Sequence, residues 1–373
     1  KSALAIEVAE AFAGTAQVFC FASEEFAHPH LDAALQAAGL KEILVSEWAH
    51  LFPLRSRVLV VESVERLLEH MGSREAFNQL LREVRSDARW HLILTCRDYL
   101  ADHLRTLEDR DLPWKTVEVP LLAPAEVKEA TARTRIPPEW LVQPVVTNAL
   151  RNLKWLDLTL KAAEQFAGST ALDSTFSKLE DWRRFVWTRF LYSGVSVGEG
   201  RAREELLVSL AVTRVTTATV WFTVEESKRP VAESLVGLNL LRQVSPHPDR
   251  FQFDHDLIED WALLYQVERR FDDAHDDPTA FFTGLGENLI ILRAFRHFFG
   301  EFLDGPRQAQ GIIFVRKVMM NAAIPKAWRE GTAIALLGSR NAFDTIEKTL
   351  PLWIDDADAG FHLLVHCLRV AFL

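Results

Sequence analysis

Three short apolar runs constrain this chain more than any other feature. QVFCFA (17–22), SRVLVVES (56–63) and WHLILTCR (90–97) have strand length and are too apolar to leave one face in water. Strands buried on both faces belong to parallel sheets covered by helices on either side. The segments around them read as helices: KSALAIEVAEAF before the first, LDAALQAAG and EILVSEWAHLF before the second, VERLLEHM and REAFNQLLREVRS before the third. In the first of these, Leu4, Ile6, Val8, Ala9 and Phe12 are the apolar positions. WKTVEVP (114–120) is expected to add a fourth strand. The spacing therefore predicts an α/β layer up to about Pro120, with ligands expected at the carboxyl ends of the strands.

Beyond that point the pattern changes to long helices. APAEVKEATART, TNALRNLKWLDLTLKAAEQF and STFSKLEDWRRFVWTRFLY follow one another. Then LLRQV and RFQFD flank the turn signal SPHPD, which reads as a β-hairpin. Helices, a hairpin and a further helix predict a small winged-helix module at about 200–270. FDDAHDDPT (271–279) is polar and reads as a linker, and the remainder is helical without a clear internal period.

Composition excludes several classes. Acidic residues outnumber basic ones, 52 to 42, for a net charge of −10, which argues against a chain-wide nucleic-acid surface. Cys20, Cys96 and Cys367 form no CxxC and no Cys/His ligand spacing, so a disulfide frame or structural zinc is not expected, and a reducing cytoplasm fits best. No apolar run approaches the roughly 20 residues of a membrane span.

The candidate site residues sit where the strands end. Glu62 closes the run VLVVE, and Glu65 follows nearly one helical turn later. Such acids can hold a Mg²⁺-bound water and orient an attacking water; they can equally be surface carboxylates. Arg97 ends a run that should be buried, and a guanidinium there needs an anion, either a phosphate or a structural carboxylate. Lys1 and Ser2 open a helix, as do the last two residues of G-x-x-x-x-G-K-[ST], although two residues alone do not make that motif. His255, between Asp254 and Asp256 after the hairpin, is either a helix-start residue or a ligand contact.

Taken in order, these residues resemble the STAND class of P-loop NTPases, the NACHT and NB-ARC proteins that include NOD-like receptors and bacterial antiviral sensors. Lys1-Ser2 matches the end of Walker A, VLVVESVERLL matches Walker B, and LILTCR matches the hydrophobic-Thr-x-Arg sensor strand. RFQFDHDLIEDWAL is similar to the winged-helix segment that carries a phosphate-sensing His, and TNALRNLKWL to the Asn-Pro-Leu helix, with Ala149 in place of the Pro. Glu62 and Glu65 stand where the class usually has Asp.

The resemblance covers about residues 1–270. It implies a P-loop α/β core (1–122), a helical lid (123–198), a winged-helix domain (199–270) and the start of a helical sensor or scaffold domain (271–373). It implies ATP or ADP with Mg²⁺ as ligands. Lys1 would contact the β/γ-phosphates, Ser2 and Glu62 would hold the metal, and Glu65 would place the attacking water. Arg97 would read the γ-phosphate, and His255 would contact the phosphates in the closed, ADP-bound state. The class works as a slow ATPase switch. A ligand protein on the C-terminal region releases it, it self-associates, and a fused effector outside this sequence fires. The central first strand and the glycine loop are expected to precede Lys1, so the chain is expected to be a piece of a larger protein.

Other readings are a non-catalytic helical scaffold with a degenerate NTPase fold, or a winged-helix transcription regulator touching DNA through Lys228 and Arg229. In the class this module packs on the ATPase core, so DNA is not the expected partner. GVSVG (194–198) fits G-x-S-x-G, but a helix precedes it where a nucleophile elbow needs a strand, so Ser196 reads as a loop residue.

Overall fold

The computed structural model describes residues 2–26, 30–37, 56–64, 67, 73–96, 115–134, 136–165, 176–192, 194–217, 221–244, 247–286, 288–347 and 359–372. The chain divides into two compact units, Lys1–Pro120 and Leu121–Leu373.

In the first unit, helix α1 (Ser2–Phe12) turns directly into strand β1 (Ala16–Ala22), and α2 (Leu31–Ala37) follows. Strand β2 (Ser56–Glu62), helix α3 (Ser73–Ser86) and strand β3 (Trp90–Leu94) complete it. The three strands form an open parallel sheet in the order β1-β2-β3, with Val18 opposite Val58 and Leu59 opposite Leu92. Alternate residues of β2 face different cores. Leu59 and Val61 pack with Phe26, Leu35, Phe77 and Leu80 beneath α2 and α3. Val58 and Val60 pack with Ala9 of α1, Ala16 and Ile93 on the opposite face. Both faces of the sheet are thus covered, which explains the unbroken apolar run.

Arg57 is the exception in that run. It is fully buried, pairs with Asp87 at 3.0 Å and lies over the Trp90 ring. Asp87 is shared with Arg89, so the loop between α3 and β3 is tied to the start of β2. The expected fourth strand does not form: residues 115–120 are neither helix nor strand and are exposed, Val117 at 72%. A strand needs a hydrogen-bonded neighbour, and no described strand lies beside this one.

The second unit is mostly helical, with α4 (Pro124–Thr131), α5 (Pro138–Leu141), α6 (Pro144–Leu150), α7 (Leu153–Gln165), α8 (Leu179–Tyr192) and α9 (Val197–Thr217) in succession. The stretch TNALRNLKWL, which reads as one helix, breaks at Asn152, whose side chain accepts the Lys154 N–H and starts α7. A short strand β4 (Phe222–Thr223), α10 (Arg229–Gly237) and the hairpin of β5 (Leu241–Val244) and β6 (His247–Phe253) come next. They make an antiparallel sheet in the order β4-β6-β5. Its inner face carries Phe222, Leu241, Phe251 and Phe253, all buried.

Helix α11 (Asp256–Ala274) extends into the stretch 271–279 whose polarity suggests a linker, and of that stretch residues 275–277 alone lie outside helix. Phe271 lies in that stretch, yet it is fully buried, with ring centroids 4.8 Å from Phe302, 5.0 Å from Phe314 and 5.6 Å from Phe281. Those partners come from α12 (Pro278–Leu285), α13 (Leu289–Leu303) and α14 (Gln308–Met319). Trp328 of α15 (Lys326–Gly338) stacks on Phe282 at 4.8 Å, and α16 (Ala359–Phe372) packs on α15. Farther back, Trp261 of α11 packs against Trp155 of α7 at 4.8 Å and Trp187 of α8 at 6.4 Å. Among the described residues, no helix is long and apolar enough to cross a membrane.

Candidate functional site

At the carboxyl end of the parallel sheet, β2 delivers Glu62 out of a wholly buried run and leaves it half-buried at the rim. Ser63 then turns the chain with φ +55°, a left-handed conformation that residues with a Cβ seldom adopt. Thr95, just past β3, binds this turn. Its N–H donates to the Val61 carbonyl, its hydroxyl accepts the Ser63 N–H, and its carbonyl accepts the Val64 N–H, each at 3.0 Å. Val64 is fully buried in the core below. Cys20 of β1 lies close enough to Glu62 that partial burial and this carboxylate together push its thiol above the ordinary value.

The same end of the sheet holds the start of α1. A three-residue turn, 13–15, joins the end of α1 to the start of β1, so the helix runs back antiparallel to the strands. Its first turn, with free backbone N–H groups, therefore lies at the end where Glu62 and Thr95 stand. Ser2 opens the helix there. Lys1, Glu65 and Arg97 lie outside the described residues, as does the Ser2 side chain. Of the expected metal ligands, Glu62 alone has a described side chain. One or two carboxylates with retained waters and phosphate oxygens is the usual donor set of Mg²⁺, so the residue present fits that ion. No cluster of three or more His, Cys, Asp or Glu able to hold a metal by itself occurs among the described residues.

His255 belongs to the second unit. It caps α11: its Nδ1 accepts the Leu257 N–H at 3.1 Å, so the ring proton sits on Nε2. Burial, and then the Lys154 ammonium, hold its pKa below the ordinary histidine value. Two lysines of α7 flank it. Lys154 reaches Asp256 at 3.4 Å, and Lys161 reaches Asp254 and Asp157, each at 3.1 Å. The helix-start reading of His255 is thus correct as structure, and its Nε2–H remains a hydrogen-bond donor. The sequence pattern foresaw the His and its two aspartates but not the lysines, which are about 100 residues away in sequence.

Other motifs resolve structurally. Ser196 of GVSVG forms a capping box with Glu199: both its N–H and its hydroxyl donate to that carboxylate, at 2.9 and 2.8 Å, and its Oγ accepts the Glu199 N–H. Those bonds hold the Glu199 carboxyl below the usual range. Lys228 lies 3.5 Å from Glu225, and Arg229 lies 3.6 Å from Glu226 and 3.1 Å from Glu233. A polar groove of about 740 Å³ lies along α9 and α11, lined by Tyr192, Arg201, Glu204, Tyr265 and Arg269 among others. There the buried Glu204 accepts from Trp187 Nε1 at 2.9 Å and Tyr192 OH at 3.1 Å. Burial, and then Glu204, push the Tyr265 hydroxyl up to about 12. None of the residues expected from the sequence lines this groove. No protein-family model and no curated protein sequence matches the chain.

Proposed function

We propose that the chain contains the nucleotide-dependent switch of a STAND-class P-loop NTPase, followed by helices of its sensor region. The observation that carries this reading is the placement of the α1 N-terminus, Glu62 and Thr95 at one end of a parallel sheet ordered β1-β2-β3. Handedness adds support. The crossovers β1–β2 and β2–β3 place α2 and α3 on one face, while α1 packs on the other. Parallel crossovers are right-handed. A parallel strand leading into α1 would therefore stand beside β3, not beside β1. That position makes a Walker-type strand the neighbour of the sensor strand, as the resemblance requires.

In this reading Lys1 binds the β/γ-phosphates of ATP or ADP. Ser2 and Glu62 hold Mg²⁺, which when bound supplies charge neutralisation at the phosphates. Glu65 orients the attacking water and Arg97 recognises the γ-phosphate. His255 offers Nε2–H to a phosphate oxygen, consistent with a ring that stays neutral at pH 7. Glutamate at both acidic positions lengthens each carboxylate arm by one methylene, which fits slow turnover and signalling by conformation. A ligand protein acting on the C-terminal helices then triggers self-association and a fused effector, with antiviral defence the setting that the resemblance implies.

The test is ATP binding by the full-length protein and by its Lys1→Ala variant. The reading expects affinity to fall at least tenfold in the variant; equal affinity overturns it.

A further inference from the structure

We infer that Thr95 is a positioning residue that locks the turn after β2 and thereby fixes where the Glu62 carboxylate stands. The metal consequence rests on the nucleotide reading; the lock itself does not.

The argument starts from Ser63. A non-glycine residue in the left-handed region crowds its Cβ against the following carbonyl, and such a conformation persists only where its surroundings over-determine it. Among the described residues, Thr95 supplies three hydrogen bonds around it. The Thr95 N–H bond to Val61 continues the β2–β3 ladder past its last register pair, Val61 with Leu94. The other two bonds lie on the left-handed residue and just beyond it: Thr95 Oγ1 takes the Ser63 N–H, and the Thr95 carbonyl takes the Val64 N–H. Glu62 is the residue between the ladder bond and the hydroxyl bond. On the β1 side its backbone is in register with Ala22, so these two bonds are what hold it on the β3 side.

The side-chain bond is the one a substitution can remove. A β-branched residue has few χ1 choices, so threonine holds its hydroxyl toward Ser63 more firmly than serine would. Valine keeps the shape and both backbone bonds but leaves the part-buried Ser63 N–H without its acceptor. The turn then loses the contact that favours φ +55° over an extended path. Outer residues that orient a metal ligand typically change metal affinity by about 10–100-fold.

The experiment compares Thr95→Val and Thr95→Ser in the full-length protein, with circular dichroism to check folding. Hydrogen exchange followed by mass spectrometry reads the peptide spanning Ser63. A magnesium titration of ATP binding reads the metal. Expected for Thr95→Val is at least tenfold faster exchange at that peptide and about a tenfold higher Mg²⁺ requirement, with metal-free ATP affinity unchanged. Thr95→Ser should stay close to wild type in both. Exchange in Thr95→Val equal to wild type overturns the lock. Faster exchange with an unchanged Mg²⁺ requirement overturns its role in placing Glu62. Faster exchange in a protein whose wild type binds no Mg²⁺–ATP leaves the lock standing and removes the nucleotide reading instead.

Discussion

His255 carries two constraints in one ring. Its Nδ1 must stay unprotonated to accept the Leu257 N–H, and its burial beside Lys154 opposes a second positive charge. Lys161 adds to that opposition, while Asp256 and Asp157 act the other way without cancelling it. The folded-state pKa therefore lies below the unfolded value near 6.5. The resulting stability is fully present above that pH and is lost as pH falls through it toward the folded value. Asparagine can accept the same N–H at a helix N-cap and does not titrate. Between pH 7 and pH 5, His255→Asn is expected to lose less stability than wild type, read as the shift in urea midpoint. An identical shift in both proteins would mean that the cap is not the titrating element. Of this site, the triplet Asp254-His255-Asp256 was legible in the sequence because its residues are contiguous. Lys154 and Lys161 were not, because a distant helix supplies them.

Elements were legible where burial alone determines them. The runs 17–22, 56–63 and 90–97 appear as β1, β2 and β3 because apolar residues cover both faces. The hairpin appears around SPHPD, although its last three residues, His247–Asp249, belong to β6 rather than to the turn. The run 114–120 alternates Val117, Glu118 and Val119, yet its described part forms no strand: alternation shows that a segment can pair, not that a neighbour exists. Likewise, Phe271 is invisible as a core residue inside FDDAHDDPT, since only its ring is apolar and its partners lie on three later helices. This ring joins α11 to the helices that follow. Phe271→Ala should destabilise the second unit by about 3–5 kcal/mol, measured by denaturant unfolding. A cost below about 1 kcal/mol would mean that the cavity collapses and the aromatic cluster does not depend on this ring.

At the scale of the whole molecule, the two compact units meet in sequence at Pro120–Leu121. The flanking residues are exposed and outside regular structure, Val119 at 44% and Leu121 at 52%. Exposed irregular backbone is where proteases cut first. Limited trypsin digestion is expected to cleave early at Lys115 and to leave a resistant fragment containing Leu121–Leu373. First cuts within α9 or α11 would contradict this division. One of the close tryptophan pairs of the second unit, distinct from that of Trp140 with Trp182 at 5.0 Å, has an optical consequence. Trp155 and Trp261 sit 4.8 Å apart on α7 and α11, the same helices that the lysine–aspartate pairs join around His255. Indoles this close share excitation and give a paired near-ultraviolet dichroism signal whose size falls steeply with separation. The chain thus carries its own gauge: any movement of the hairpin-bearing segment away from α7 would dim that signal without a label being attached.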